Sequence, residues 1–284
     1  MIKKTFLQRT LALFCTFALF FCLIACDDGH TVPSETSSEE ASASRESESA
    51  SETEEITEKT KRIAFTFDDG PHPTYTKQIV DCAAALGGRV TFFIVGTMLF
   101  DESAAENFVY ATEAGCEVGV HSFTHTVNYD ECDEETYLFE LSRTVEVAKE
   151  LLPSFEPTLM RPVGGRISEE HVKITPYAVV KWSVDTRDWE LKAMTSASEQ
   201  EENVDKIVEN ILENVSDGAI ILMHDLYENS ALAFERAARA LVEDGYQLVT
   251  VSELLGEDVR AGVVYSKGLP ATAEANRSEK DEEN

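Results

Sequence analysis

The sequence is poor in basic residues. It contains 24 Lys and Arg against 53 Asp and Glu, so its formal net charge at pH 7 is −29. Proteins that bind nucleic acid neutralise phosphates with clusters of Lys and Arg, and no such cluster interrupts this acidic chain. We therefore predict that no nucleic acid is among its partners.

The sequence also lacks a cysteine framework. Two of its six Cys fall within the first 25 residues, and Cys26 follows them directly. Cys82, Cys116 and Cys132 remain, which is an odd number without a CxxC spacing. We predict that each is a small buried residue rather than a ligand. A single disulfide between two of these three cysteines is the alternative.

Apolar runs long enough to span a bilayer, roughly 20 residues, are missing as well. The stretch from Leu11 to Ile24 is apolar and uncharged but shorter, and Lys3, Lys4 and Arg9 precede it, as in a secretory signal peptide. It ends in Leu23-Ile24-Ala25-Cys26, which resembles a bacterial lipobox. Residues 1–25 are thus predicted to be a lipoprotein signal peptide. A plain signal peptide or an uncleaved anchor is the alternative.

The lipobox predicts the location of the chain. A lipidated Cys26 would attach it to the membrane as an extracytoplasmic lipoprotein. Residues 26–60 are rich in Ser and Glu, with eleven acids against only Arg45 and Lys59. Such a segment buries too little apolar surface to offset its ordering entropy, so we expect a disordered stalk. The folded domain is predicted to cover 61–256, and 257–284 to form a polar tail.

Within 61–256, short apolar strands alternate with amphipathic helices. This alternation predicts parallel βαβ units, and about seven units in roughly 200 residues suit one closed or nearly closed α/β barrel. Chemically active residues follow the predicted strands at their C-terminal ends, where barrel active sites lie. These residues are Asp68, Asp69, His121, Arg161, Asp185 and His224.

Two of the motifs predict a metal site. His121 and His125 are spaced i, i+4, and they would share one face if this stretch were helical. Asp68 and Asp69 end the first strand, and the turn after it can bring both carboxylates toward one ion. One carboxylate would then bind the metal and the other would take a proton from water, which is the chemistry of metal-assisted hydrolysis.

Three further motifs complete the candidate site. Arg161 precedes a turn containing Gly164 and Gly165, where a guanidinium can hold a carboxylate and a backbone N–H can approach an oxyanion. The loop 185–189 carries two acids and a large aromatic residue. His224 ends the apolar strand 219–223, and a carboxylate bonded to it would raise its pKa and orient it as a proton donor.

Taken together, these motifs resemble the polysaccharide deacetylases of carbohydrate esterase family four. The resemblance covers about 62–255, and the motifs match in order and spacing. They are Thr66-Phe67-Asp68-Asp69-Gly70, His121-Ser122-Phe123-Thr124-His125, Asp185-Thr186-Arg187-Asp188-Trp189 and Leu222-Met223-His224. The resemblance implies a distorted (β/α) barrel forming a single catalytic domain, with Zn²⁺ or another divalent cation such as Co²⁺ as cofactor.

The resemblance also implies a role for each site residue. Asp69, His121 and His125 would bind the metal, while Asp68 would be the general base. His224 would be the general acid that protonates the leaving amine, with Asp188 tuning it. Arg161 would hold Asp68 in place. Four residues would contact the substrate: Trp189, Gly164, Gly165 and Leu222.

One motif departs from the family pattern. The family usually has Tyr where Gly164 stands; the backbone N–H of that residue helps to bind the oxyanion, and its ring lines the cleft. Glycine keeps the N–H but not the ring, so we expect a wider or differently lined cleft.

The leading hypothesis is a monomeric, membrane-anchored N-deacetylase of cell-envelope glycan containing N-acetylglucosamine, with peptidoglycan as the preferred substrate. The same site permits O-deacetylation of xylan or another acetylated polysaccharide. A non-catalytic glycan-binding lipoprotein is the alternative from a different class. Asp68, Asp69, His121, His125 and His224 are all present, which argues against a decayed enzyme.

Overall fold

The computed structural model describes residues 60–192 and 196–268. The predicted signal peptide, Cys26, nearly all of the predicted stalk and the end of the predicted tail lie outside the described residues. Within the described ranges, no helix is both long and apolar enough to cross a bilayer.

The described chain alternates strands and helices. The strands are β1 Lys61–Asp68, β2 Thr91–Val95, β3 Glu117–Ser122, β4 Leu159–Met160, β5 Ala178–Val180, β6 Val184–Asp185, β7 Ile220–His224, β8 Tyr246–Leu248 and β9 Val264–Tyr265. The helices are α1 Tyr75–Ala85, α2 Glu102–Glu113, α3 Glu134–Leu151, α4 Glu169–Ile174, α5 Ala197–Asn214, α6 Glu228–Glu243 and α7 Val251–Leu255. A 3₁₀ turn at Gly96–Phe100 links β2 to α2.

The strands form one parallel sheet in the order β6-β7-β1-β2-β3-β4-β5-β9, with β8 paired to β1 outside this path. The strand β1 is central, and all its residues from Ile63 to Asp68 are buried. Burial on both faces is typical of parallel sheets that helices cover. The predicted α/β barrel is thus confirmed as a distorted barrel whose sheet path ends at β6 and β9.

Helices and strands meet in an apolar core built from the motif-bearing strands. The rings of Phe65 and Phe67 on β1 contact Phe234 of α6 edge-to-face, with centroid separations of 5.0 and 5.2 Å. Side-chain caps fix where several helices begin: Asp101 accepts a hydrogen bond from the backbone N–H of Ala104 at the start of α2, and Asp133 does the same at α3. The frame that carries the strand ends is therefore densely packed.

Two segments differ from the sequence-based expectation. The apolar run 179–184, whose pattern is typical of a single strand, is divided between two strands, β5 and β6. The carbonyls of Val180 and Lys181 accept hydrogen bonds from Arg161, and the chain leaves the sheet there. The predicted tail 257–284 starts before the sheet ends, because β9 lies inside it and pairs with β5.

The three cysteines of the domain are free thiols. Cys116 is buried, as predicted, while Cys82 and Cys132 are partly buried. Burial raises the pKa of each thiol, and that of Cys82 rises to about 11. The raised pKa values disfavour the thiolate form of all three cysteines.

Candidate active site

The C-terminal ends of β1, β3, β4, β6 and β7 place the predicted residues around one cleft. In the pairing register Asp68 on β1 lies opposite His224 on β7, and Asp185 on β6 lies opposite Leu222 on β7. Parallel strands end at the same edge of a sheet, so residues far apart in sequence meet there. The placement predicted from the sequence is confirmed for these strand ends.

Three side chains converge on one point. The Oδ1 atom of Asp69 lies 3.3 Å from Nε2 of His121 and 3.0 Å from Nε2 of His125. One donor atom from each residue lies within 4.8 Å of the other two. The side chains of Asp69 and His121 are largely buried, whereas that of His125 is 41% exposed. The triad therefore faces the cleft and is open to solvent on the His125 side.

The two histidines do not share a helix. His121 belongs to β3, and His125 lies in the loop that follows with a positive φ of 62°. The stretch is not helical, so the condition under which the two histidines would share a helical face is not met. A turn brings the two rings together instead, because the backbone N–H of His125 donates to the hydroxyl of Ser122 at 2.7 Å. The i, i+4 spacing of the motif thus reflects a tight loop.

Hydrogen bonds fix the orientation of His121. Its Nδ1 atom lies 2.7 Å from the carbonyl oxygen of Arg161. A carbonyl oxygen only accepts, so Nδ1 carries a proton, and Nε2 is the ring nitrogen directed at Asp69. Metal-binding histidines are typically oriented by a bond of this kind.

The triad fits a divalent metal ion. Although two imidazoles lie close to it, the buried Oδ1 of Asp69 has no well-aligned hydrogen-bond donor. Burial acts to raise the pKa of Asp69, but the neighbouring imidazoles hold it well below its usual range. A charged, buried oxygen without a donor, beside two imidazole nitrogens, is a donor set suited to zinc or a similar ion.

Asp68 has a different environment from its neighbour. The Nη1 atom of Arg161 donates to its Oδ1 at 2.8 Å and to the hydroxyl of Thr66 at 2.7 Å. The other oxygen of Asp68 lies 4.0 Å from Nε2 of His121. Arg161 is fully buried, and burial lowers its pKa, while the charge of Asp68 acts to raise it. One oxygen of Asp68 is thus held, and the other faces the metal triad.

His224 is paired with Asp188 on the opposite side of the cleft. Its Nδ1 lies 2.8 Å from Oδ1 of Asp188, and its backbone N–H donates to Oδ2 at 2.8 Å. Ser230 of α6 also donates to Oδ2, at 2.6 Å. Burial acts to lower the pKa of His224, but the bond to Asp188 and the charges of Asp188, Asp68 and Asp69 raise it to about 9. The surroundings of His224, Asp188 above all, thus favour its protonated form.

The cleft has a volume of about 400 Å³. Three of the four predicted substrate contacts line it, namely Trp189, Gly164 and Leu222. Gly165 is not part of the lining; it packs on Trp182, whose ring atom Cη2 would lie 2.7 Å from an added Cβ. The indole of Trp189 is 44% exposed and offers an apolar face. Lining residues that the sequence motifs do not include are Val163, Trp182, Lys192 and Tyr227.

Two buried carboxylates, neither predicted from the sequence, bind segments that carry site residues. Glu140 on α3 binds the loop that carries His125. Asp225, next to His224, accepts a hydrogen bond from Thr76 and packs on Gly70, where an added Cβ would lie 2.2 Å from its Oδ1. Burial raises the pKa of Asp225 to about 7. A polar residue after His224 was visible in the sequence, but Glu140 lies on a helix with no motif to mark it.

Comparisons with known proteins agree with this geometry. The family model described as Polysaccharide deacetylase matches residues 55–181. The chain is 34% identical over 194 residues to the peptidoglycan-N-acetylmuramic acid deacetylase PdaC of Bacillus subtilis. It is 32% identical over 211 residues to a peptidoglycan-N-acetylglucosamine deacetylase of Bacillus cereus.

The extent of the similarity differs between these relatives. The PdaC match covers 68% of this chain and only 38% of PdaC. The match to the Bacillus cereus protein covers 71% of this chain and 91% of that protein. The solved structure of PdaC superimposes with a TM-score of 0.63 at 30% identity, covering 78% of this chain and 95% of the solved chain. The similarity therefore extends over the domain that carries the site.

Proposed function

The chain belongs to the polysaccharide deacetylase family, and from this premise we propose that it is a metal-dependent hydrolase that removes N-acetyl groups from peptidoglycan. The observation that carries the proposal is the convergence of Asp69, His121 and His125 beside Asp68, with His224 across the same cleft. Relatives that match over the same domain are named as peptidoglycan deacetylases.

We propose zinc as the metal, with cobalt as the alternative. Asp69, His121 and His125 would hold it through one oxygen and two nitrogens, leaving positions for water and substrate. When bound, such an ion polarises the acetyl carbonyl and makes a water molecule more acidic. This donor set favours zinc over the hard ions calcium and magnesium, which prefer an all-oxygen shell.

The proposed reaction uses two proton-transfer residues. Asp68 takes a proton from the attacking water through the oxygen that faces the triad, while Arg161 keeps its other oxygen in place. As the C–N bond of the acetamide breaks, His224 gives its proton to the leaving nitrogen. The products are acetate and a free amino sugar. A raised pKa suits His224 to this role, because an acid must hold its proton until the bond breaks.

The remaining cleft residues position the substrate. Trp189 and Leu222 supply apolar surface for the sugar and its acetyl group, and Gly164 keeps the opposite wall open. Asp188, fixed by Ser230, orients His224. In this proposal, binding depends on stacking against the exposed indole and catalysis on the two proton-transfer groups.

We also propose where the enzyme works. A lipid on Cys26 would anchor it to the outer side of the cell membrane as a monomer, and the acidic stalk 26–60 would separate the domain from the bilayer. The lipobox-like sequence and the low hydrophobicity of the stalk support this proposal. Replacing Cys26 with Ser should release the protein from the membrane fraction in cells.

The central test is acetate release. The purified chain would be loaded with Zn²⁺ and incubated separately with peptidoglycan, chitooligosaccharides and acetylated xylan. We expect acetate from peptidoglycan, with the new free amines mapped to glucosamine or muramic acid. Release from xylan alone would favour O-deacetylation. No release from any substrate by metal-loaded protein would contradict the proposal.

A further inference from the structure

We infer that Glu140 is a positioning residue that shapes the loop between His121 and His125 and thereby sets the metal affinity of the triad. This inference rests on the proposed function, since it concerns the same metal site. Glu140 lies outside every motif that marks the family resemblance. Glu140 lies near the middle of α3, and its side chain contacts the loop.

The carboxylate of Glu140 holds the loop by three hydrogen bonds. The backbone N–H groups of Phe123 and Thr124 both donate to its Oε2, each at 2.8 Å. The hydroxyl of Thr124 donates to its Oε1 at 2.9 Å. Both oxygens act only as acceptors, which is the pattern of an ionised carboxylate. A single side chain thus binds two consecutive residues between the two histidines.

Other anchors of the loop complete this arrangement. The N–H of His125 donates to Ser122, and the carbonyl of Phe123 accepts from the N–H of Thr97. The N–H groups of residues 123, 124 and 125 are therefore all bound to side chains, two of them to Glu140. Because His125 has a positive φ, its position depends on how the residues before it are held. Loss of Glu140 would free the part of the loop that delivers Nε2 to Asp69.

The burial of the Glu140 carboxylate also supports a role in holding the loop. Its side chain is 3% exposed, and no Lys or Arg of the described residues forms an ion pair with it. Burying a carboxylate is costly, and three hydrogen bonds offset the cost only in part. The loop donors are therefore the partners that this buried carboxylate has, and Glu140 acts on the metal through the geometry of the loop.

Metal affinity is the decisive measurement. The full chain, stripped of metal with a chelator, would be titrated with Zn²⁺ in competition with a chelating dye. We expect Glu140→Gln to weaken zinc binding by roughly 10- to 100-fold, the usual effect of losing a group that orients metal ligands. The loss of activity should be larger at limiting zinc than at saturating zinc, because Asp68 and His224 are untouched.

Glu117 provides a matched control. It is also a largely buried carboxylate, which accepts hydrogen bonds from the backbone N–H and hydroxyl of Ser252 and from Thr91. It lies at the first residue of β3, at the end of the strand opposite to His121. Glu117→Gln should lower stability in urea but leave zinc affinity unchanged. Equal losses of affinity in both variants would reduce Glu140 to a purely structural residue and overturn the inference.

The remaining outcomes are separable. If wild type binds zinc and Glu140→Gln binds it equally well, the inference is wrong and the proposed function stands. If wild type binds no zinc, both fail. Should Glu140→Gln not fold, Thr124→Val decides, since it removes the hydroxyl bond to Oε1. The same hydroxyl also contacts Thr126, so Thr126→Val is measured beside it as the control. A weakening specific to Thr124→Val supports the inference, and equal zinc affinity in the two Thr variants overturns it.

Discussion

At the scale of single residues, two adjacent carboxylates have different tasks because their surroundings differ. Asp68 continues β1 and is bound to Arg161, whereas Asp69 has a φ of 75° and turns toward the two histidines. A non-glycine residue in this left-handed region is strained, and such strain persists where neighbours fix the backbone. The sequence predicted two roles for the pair, but only the turn at Asp69 shows how one strand end serves both.

Asp68 provides a direct test of these roles. We expect Asp68→Asn to keep zinc affinity near the wild-type value while lowering turnover by roughly 10²- to 10⁴-fold, as for loss of a general base. Asp69→Ala should instead weaken zinc binding, because it removes the only oxygen of the triad. Zinc titration and acetate release would be measured on both variants. A near-normal rate for Asp68→Asn would remove Asp68 from the mechanism.

The His224–Asp188 pair should give the metal-free protein a characteristic pH dependence. The folded-state pKa of His224, about 9, lies above its ordinary value of 6.5. The stability from this pair is therefore fully present below about pH 6.5 and is lost as pH rises through about 9. In urea unfolding with chelator present, Asp188→Asn should be most destabilising at the low end of this window and least at the high end.

Ser230→Ala is the control for this experiment. It removes one donor to Asp188 but keeps the charge that acts on His224. We expect a small loss of stability that does not vary across the same pH window. A wild-type stability that rose between about pH 6.5 and about pH 9 relative to Asp188→Asn would contradict the assigned pair.

The backbone at Gly164 does not suit a residue with a Cβ. Its φ is 60°, although the space is open, with only Nε of Arg166 at 3.9 Å from an added Cβ. Gly164→Ala should therefore cost about 1 kcal/mol of stability and have little effect on kcat. Gly164→Tyr would meet the same strain, so restoring the usual family residue requires a different backbone.

Gly165→Ala is the comparison for Gly164→Ala. Gly165 has a φ of 70°, and its added Cβ would also collide with Trp182, which lines the cleft. We expect a larger loss of stability and a raised KM in acetate-release assays. Equal effects of the two substitutions would show that the contact with Trp182 is unimportant.

At the scale of elements, the predicted strand ends were correct because short-range patterns determine them. Apolar runs followed by Asp, His or Arg identify β1, β3, β4 and β7. Between β5 and β6 the carbonyls of Val180 and Lys181 accept hydrogen bonds from Arg161, a contact distant in sequence that a local pattern does not reveal. The loop form of the His121–His125 motif depends likewise on Ser122 and Glu140, which spacing alone does not reveal.

Arg161 links elements that are far apart in the chain. From the end of β4 it reaches Asp68 on β1 and the two carbonyls where β5 ends. Removing one partner of a buried ion pair typically costs about 3–5 kcal/mol, because the other charge is left unpaired. We expect Arg161→Ala to lose at least this amount in urea unfolding and to lose activity, since Asp68 is no longer held.

Arg236, an arginine on the surface, is the control for Arg161. Arg236 on α6 forms ion pairs with Glu201 and Asp205 on α5, and all three side chains are well exposed. Exposed pairs contribute at most about 1 kcal/mol. Arg236→Ala should therefore have a small effect on stability and none on acetate release. Comparable losses for both arginines would contradict the importance assigned to the buried pair.

At the scale of the whole molecule, the family and the barrel class were predictable because the motifs are specific and ordered along the chain. The packing partners of the site residues were not predictable from the sequence. Lys192 and Tyr227 line the cleft without belonging to a motif, and Asp225 contacts the turn at Gly70 from a strand that is neighbouring in the sheet but distant in sequence. The end of the domain was also misplaced, since a polar stretch after Leu255 hides the short strand β9.

The short strand β9 is joined to the domain by backbone hydrogen bonds. The N–H groups of Val179 and Lys181 on the β5 side donate to carbonyls of Val263 and Tyr265, and Gly268 donates to the carbonyl of Gly218. A chain ending at 256 would lose these bonds and leave the edge of β5 unpaired, whereas a chain ending at 268 keeps them.

Thermal unfolding would compare the two truncated chains with the full chain. Losing several backbone hydrogen bonds, together with the packing of Tyr265 against the core, should lower the Tm by roughly 10 °C or more. The chain ending at 268 should unfold near the full-chain Tm. An unpaired β5 edge should also promote association, which light scattering would detect. If the chain ending at 256 kept its Tm and stayed monodisperse, β9 would be dispensable, and the originally predicted boundary at 256 would be correct.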